Sequence, residues 1–367
     1  MSLNSLLVSS DDKTVRVLRR VLSDLEIGVE HCSDTESAVH QLTRNRFEAV
    51  IVDCCNIGTI GQVFRSVRLA ACNKRAIAIA IVEAQTSLQE AFEIGAHFVF
   101  YKPLSTERAK ASLRAARALM KRERRRNARL AVQIPVLLRV EDGAAQLRAM
   151  TIDLGEGGMA LVLQTRARNL SSMHANFTLP GTEHRIESIT EIAWEGPSRQ
   201  VGIRFIDLAP EAQDQLKNWL DSRSPEFEKD DPPVSCKLTD LSPAGCYVEL
   251  TSPFPIGTRV ILLTEAHSEL KRASAVVRVM HPEAGMGVEF DRNSALQKKQ
   301  SSELLSVLST GSHPDLMVQP DGLNADAPRA FSDDPLVKFF IEKADLSSET
   351  FRHELTRRRS RSAAARG

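Results

Sequence analysis

Over residues 1–121, apolar positions switch between short continuous runs and helical spacing. Leu6-Leu7-Val8, Val29 to Cys32, Ala49-Val50-Ile51-Val52, Ala76 to Val82 and Phe98-Val99-Phe100-Tyr101 read as five strands. Between them, Val15, Leu18, Val21 and Leu22 recur at helical spacing. Thr35 to Arg44 and Gln85 to Gly95 read as helices, the second with a glycine stop, and 104–121 as a last helix. Strands alternating with helices predict an α/β doubly wound parallel sheet, in which ligands and chemistry sit at the carboxyl ends of the strands.

From about residue 122 the pattern changes to short alternating stretches such as Val132-Gln133-Ile134-Pro135-Val136-Leu137-Leu138. Turns carry Asp142-Gly143, Pro180-Gly181 and Ile256-Gly257. Many short strands with regular turn signals predict a small antiparallel barrel or sandwich. The region repeats. Asp153-Leu154-Gly155-Glu156-Gly157-Gly158-Met159-Ala160-Leu161-Val162-Leu163 is echoed by Asp240-Leu241-Ser242-Pro243-Ala244-Gly245-Cys246-Tyr247-Val248-Glu249-Leu250. Val201-Gly202-Ile203-Arg204-Phe205 is echoed, at nearly the same distance downstream, by Met286-Gly287-Val288-Glu289-Phe290. Each copy ends in a helix-prone stretch, Pro210 to Leu220 and Ser294 to Leu308.

The expected organisation is an α/β domain at 1–121, one barrel at 122–222, a polar, proline-bearing linker at 223–233 and a second barrel at 234–308. Residues 309–367 read as a mostly disordered tail, with one short helix over 336–355 and a basic end at Arg357 to Arg361.

The 367 residues carry a formal net charge of +1, so no global field steers the chain to nucleic acid or membrane. With only two Trp and two Tyr, a stacking surface for single strands is not expected either. Charge is uneven, with basic runs at 121–129 and 352–366 and an acidic one at 226–231. No signal peptide and no bilayer-spanning run is read, so the expected location is the cytoplasm, without membrane insertion. Six cysteines, including Cys54-Cys55, lack metal-ligand spacing and read as reduced thiols. His97, His184 and His281 share no spacing, and Trp194 and Trp219 read as packing residues. No metal and no cofactor is expected, and no nucleophile–base pair or P-loop is found, so no enzymatic activity is expected.

The first segment resembles a response-regulator receiver domain, with its flavodoxin-like strand order. Asp53 stands at the end of the third strand, where that family's phosphoacceptor belongs, and Lys102-Pro103 follows the fifth. Two departures stand out. Ser9 and Ser10 replace the acidic pair, with Asp11 and Asp12 just beyond, and Glu83-Ala84 stands where Ser or Thr follows the fourth strand. Mg²⁺ wants carboxylate oxygens, which two serines do not supply. The segment therefore reads as a pseudo-receiver for docking or homodimer formation. Its alternative is a phosphorylation-controlled regulator working through Asp53.

The repeated unit resembles the PilZ domain, which in many bacterial proteins binds cyclic di-GMP through R-x-x-x-R and D/N-x-S-x-x-G motifs. Arg125 and Arg129 supply the first motif. Asp153, Gly155 and Gly158 stand in the second motif of copy one, with Gly155 in place of serine. Copy two keeps Asp240, Ser242 and Gly245 in full, but Glu226 to Leu238 before them has no arginine. The resemblance implies that the two arginines, on a pliant segment, close on the ligand. Arginine can fork onto a phosphate or read guanine O6 and N7. Asp153 can accept from guanine's other edge, and the Gly-rich turn lets backbone N–H groups approach. The first copy is thus expected to bind cyclic di-GMP and signal to a downstream protein, and the second to be structural. Taken alone, the arginine run reads as a solvated helix end and Asp-Leu-x-x-x-Gly as turn geometry. A non-binding scaffold is the remaining alternative.

Overall fold

The computed structural model describes residues 3–53, 56–70, 72–140, 146–165, 172–224, 227, 229–266, 268–309, 315–323 and 333–364. Cys54, Cys55, the Asp142-Gly143 turn, and 310–314 and 324–332 of the expected tail lie outside them. Two compact units are present, one spanning 124–230 and the other joining 2–123 to 231–367.

The larger unit opens with β1 (Leu3–Val8), α1 (Asp12–Asp24), β2 (Ile27–Cys32), α2 (Thr35–Arg44), β3 (Ala49–Asp53), α3 (Ile57–Leu69), β4 (Ile77–Val82), α4 (Leu88–Glu93), β5 (Phe98–Tyr101) and α5 (Thr106–Asn127). The five strands are parallel in the order β2-β1-β3-β4-β5, the doubly wound order expected. Strands β3 and β4 are buried throughout, as their continuous apolar runs require. The order brings the ends of β1, β3, β4 and β5 together, and with them Ser9, Asp53, Glu83 and Lys102.

Helix α5 runs past the expected end at 121. No glycine or proline interrupts residues 104–127. Arg, Lys and Glu are good helix formers, and Arg124, Arg125 and Arg126 in the last turn complement the helix dipole. The domain boundary expected at 121–122 therefore falls inside a helix, and Arg125 is helical rather than on a pliant segment.

The same unit continues with β13 (Val234–Ser242), β14 (Gly245–Glu249), β15 (Thr258–Ala266), β16 (Glu269–His281), β17 (Gly285–Phe290), α7 (Ala295–Leu308), β18 (Leu316–Leu323), α8 (Pro335–Glu342) and α9 (Ser348–Ala364). Its strands close as β13-β14-β17-β16-β15-β18. The barrel thus extends past the expected boundary at 308, because β18 pairs with both β13 and β15 and seals it. Gln319-Pro320-Asp321-Gly322 had masked the strand as linker, although Leu316 and Val318 are buried. Two helices replace the single one expected over 336–355, with Asp334 capping α8 through the amides of Leu336 and Val337.

One apolar cluster runs from Ile51, Ile79 and Phe98 of the parallel sheet, through Leu113, Ala116 and Leu119 of α5, to Val248, Val277 and Val288 of the barrel. Polar contacts follow the same helix. Ser252 Oγ donates to Ala111 O at 2.8 Å, and Arg122 pairs with Asp321 at 2.7 Å. Arg117 and Lys121 hold Asp231 at 2.6 and 3.1 Å. The α/β domain and the second barrel share one core.

The smaller unit contains β6 (Leu130–Ala131), β7 (Pro135–Val140), β8 (Gln146–Gly155), β9 (Gly158–Leu163), β10 (Ser172–Thr178), β11 (Arg185–Glu195), β12 (Gln200–Leu208) and α6 (Pro210–Asp221). Strands β8-β7-β10-β11-β12-β9 form a ring closed by β8–β9, with β6 added on β8. Phe227 is buried in this barrel's core and Lys217 holds Asp230 at 2.6 Å, so the expected linker is anchored at these two residues.

Candidate ligand site on the first barrel

The two sequence echoes are strand partners. In the first barrel β9 pairs with β12, placing Gly158 opposite Arg204. In the second, β14 pairs with β17, placing Gly245 opposite Glu289. The hydrogen bond from Phe205 N to Gly157 O (3.0 Å) recurs from Phe290 N to Ala244 O (2.8 Å). A Cβ on Gly158 would lie 2.1 Å from Ile203 O, and one on Gly245 2.3 Å from Val288 O. The last glycine of each motif is therefore fixed by close backbone approach, whatever else the turn does.

Beside that pair runs a cross-strand row. In the first barrel it reads Asp153, Ala160, Gly202, Trp194. Ala160 and Gly202 form a floor without side-chain bulk. The Trp194 indole lies over Gly202, with Nε1 2.1 Å from where a Cβ would be, yet the residue is 47% exposed. Trp194 is thus a surface residue and not the packing residue expected. Trp219 does pack, at 5% exposure, donating from Nε1 to Pro180 O at 2.9 Å.

The equivalent row of the second barrel reads Asp240, Tyr247, Gly287, Val279. It is filled and roofed. Tyr247 and Val279 are buried with Leu336, Phe340, Phe351 and Leu355 of α8 and α9. The Phe340 ring approaches within 2.8 Å of a Cβ position on Gly287. His281 lies against Phe351 with ring centres 4.3 Å apart and planes tilted by 44°, and burial holds its imidazole down at about 4, hence neutral. The Ser242 hydroxyl is used within its own turn, accepting from Gly245 N at 3.1 Å. So the copy with the complete D-x-S-x-x-G motif has its row under two helices, and the copy lacking the serine has no such helix over it among the described residues: Ala160 and Gly202 are buried there, while Asp153 is half-buried and Trp194 exposed.

The arginines divide. Arg125 is fully buried. Its Nε meets the Glu156 carboxylate, and Nη1 meets Asp221 at 2.5 Å and Phe227 O at 3.0 Å. Most of the basic run is likewise internal, with Lys121, Arg122 and Arg124 all buried. Arg129 is different, with 42% of its side chain exposed. Its Nη1 donates to Ala128 O at 3.1 Å, and Nε lies 3.8 Å from Asp153 Oδ1. That Asp153 oxygen also accepts from Ala160 N at 3.3 Å. A Cβ on Gly155 would sit 2.0 Å from Arg129 Nη1, so the missing serine leaves room for the guanidinium. Arg129, Asp153, Gly155 and Gly158 therefore come together at one edge of the first barrel's row, with Arg125 beneath the hairpin tip.

At the strand ends of the α/β domain, Asp53 is 7% exposed. Lys102 Nζ lies 2.7 Å from Oδ1, and Ser9 Oγ donates to Oδ2 at 2.7 Å. Asp11 turns away to cap α1, accepting from Lys13 N at 3.0 Å and Thr14 Oγ1 at 2.7 Å. These bonds hold its carboxyl below the usual range. Among the described residues no His, Cys, Asp and Glu group is placed to hold a metal, and no helix is long and apolar enough to cross a membrane.

No curated protein matches the chain. Among solved structures it is similar to the chemotaxis response regulator CheY4 of Vibrio cholerae, at 22% identity over 32% of this chain and 99% of that one (TM-score 0.29). It is also similar to the receiver domain of sensor histidine kinase PA1611 from Pseudomonas aeruginosa PAO1, at 20% identity over 33% and 98% (TM-score 0.29). A third similar structure is a CheY-like receiver domain from Methylobacillus flagellatus, at 18% identity over 32% and 99% (TM-score 0.28). The PilZ domain matches twice, at residues 123–222 and 221–306. The two matches take in both copies of the repeat and half of the 367-residue chain, which belongs to the PilZ domain family.

Proposed function

We propose that this protein is a cyclic di-GMP-binding signalling effector and that its ligand sits on the outer face of the first barrel. The observation that carries this is the contrast between the two rows. Asp153–Ala160–Gly202–Trp194 carries no covering helix among the described residues and exposes Trp194, while Asp240–Tyr247–Gly287–Val279 lies under α8 and α9. The Trp194 indole, seated on Gly202 with its outer side exposed, offers a planar base a stacking face. Asp153 accepts from the guanine N–H edge. Arg129, solvated and beside it, forks onto a phosphate or the O6/N7 edge. The receiver-like domain serves as a docking module, since Lys102 and Ser9 already engage Asp53.

Output is a changed surface for a downstream protein, with the first barrel reoriented on ligand binding. The chain passes between the two units at 123–124, inside α5, and at 230–231, so a pull on Arg125 or Arg129 acts close to one crossing.

Isothermal titration of cyclic di-GMP tests the site. Arg129→Ala should weaken binding at least about tenfold, the loss of one charge-assisted contact. Asp240→Ala should bind like the wild type. The reverse pattern would move the site to the second barrel. Acetyl phosphate with Mg²⁺ should give no mass gain that Asp53→Asn removes; such a gain would make Asp53 an input.

A further inference from the structure

We infer that Glu156 occupies, on the buried Arg125 guanidinium, the place of an anionic ligand, and so sets the affinity of the first barrel by competing for that arginine. This rests on the reading of the first barrel as the cyclic di-GMP site.

Arg125 is fully buried, and its partners include two carboxylates and two carbonyls of its own unit. Glu156 meets Nε, Asp221 meets Nη1 at 2.5 Å, and the carbonyls of Phe227 and Lys217 accept at 3.0 and 3.3 Å. The guanidinium thus meets two carboxylates and has no exposed surface, with the Lys217 ammonium also acting on Asp221. Burial pushes the Asp221 carboxyl up despite the neighbouring cation. A phosphate cannot simply be added to such a cluster. It must replace one of the carboxylates, exchanging anion for anion with no further charge buried.

The two carboxylates are not equally replaceable. Asp221 ends α6, whose Leu216 and Leu220 are buried in the barrel core. Glu156 stands at the tip of the β8–β9 hairpin, between Gly155 and Gly157, and a Cβ on Gly157 would meet nothing within 4 Å. The tip backbone is held by Phe205 N on Gly157 O, but the Glu156 side chain can turn out about its own bonds past the open side of Gly157, whereas Asp221 ends a core-packed helix. The tip also belongs to the ligand motif, so turning Glu156 out opens Arg125 toward Arg129 and Asp153. In the second copy the corresponding position is Pro243, which carries no charge.

The experiment is titration of the full-length chain with cyclic di-GMP, comparing wild type, Glu156→Gln, Glu156→Ala and Glu187→Gln. The last is a charge-matched control, since Glu187 is an exposed carboxylate elsewhere on the same barrel. Both Glu156 variants should bind about tenfold tighter than the wild type, and Glu187→Gln should not change. Melting curves show that each variant is folded. Tighter binding by the Glu156 variants supports the inference even if the wild type binds too weakly to measure. A wild type that binds, with Glu156 variants binding equally or more weakly, overturns the competition and leaves the ligand site standing. Absence of binding in all four proteins overturns both.

Discussion

Arg125 and Arg129 are four residues apart in one motif and do different work. Arg125 is buried against Glu156 and Asp221, and Arg129 is the half-exposed cation beside Asp153. The sequence marked both positions and could not separate them, because burial depends on Glu156, Asp221 and Phe227, which lie 31 to 102 residues away. Asp153 and Gly158 were legible from the repeat. Trp194 was not, since it precedes the second echo and has no aromatic counterpart at Val279. Gly155 offers a direct test at this scale. A serine there would place its Cβ against Arg129 Nη1 and 2.8 Å from Ala128 O. Gly155→Ser should therefore displace the guanidinium toward solvent and lower the melting temperature. The added hydroxyl should raise cyclic di-GMP affinity, by up to about tenfold. Unchanged affinity on titration would mean that the hydroxyl does not reach the ligand.

The strongest element signals were the apolar runs of the parallel sheet, because strands buried on both faces leave little choice of side chain. Elements whose existence depends on distant partners were harder to read. Strand β18 closes the second barrel although its sequence includes Pro320 and Gly322, because β13 and β15 supply edges on either side. Helix α5 outran its expected end because nothing local stops it. The repeat fixes a sharper expectation. Gly158 and Gly245 each lie against a backbone carbonyl of the partner strand, which cannot move aside as a side chain can. Gly158→Ala and Gly245→Ala should each destabilise their barrel by about 1–3 kcal/mol, the cost of overpacking. Gly157→Ala, facing open space, should be nearly neutral. Urea denaturation of the three variants checks this. Equal midpoints would show that the strands can separate to admit a methyl group.

At the scale of the whole molecule, a string of independent domains is not what folds. The first barrel is a compact unit of its own, carried between residues 123 and 231 of the other, which unites the α/β domain and the second barrel. Local periodicity shows α5 as amphipathic but not that the parallel sheet and a barrel both pack on it. The fold also gives the two copies distinct roles. The second barrel gives its motif face to α8 and α9, while the first has no such helices on its row among the described residues and is the one proposed to take the ligand. A crystal structure of the full chain grown with excess cyclic di-GMP tests this division most directly. The expected result is nucleotide against the exposed Trp194 indole, held by Arg129 and Asp153, with α8 and α9 still seated on the second barrel. Nucleotide on the Tyr247 face with those helices displaced, or an empty first barrel at saturation, would contradict it.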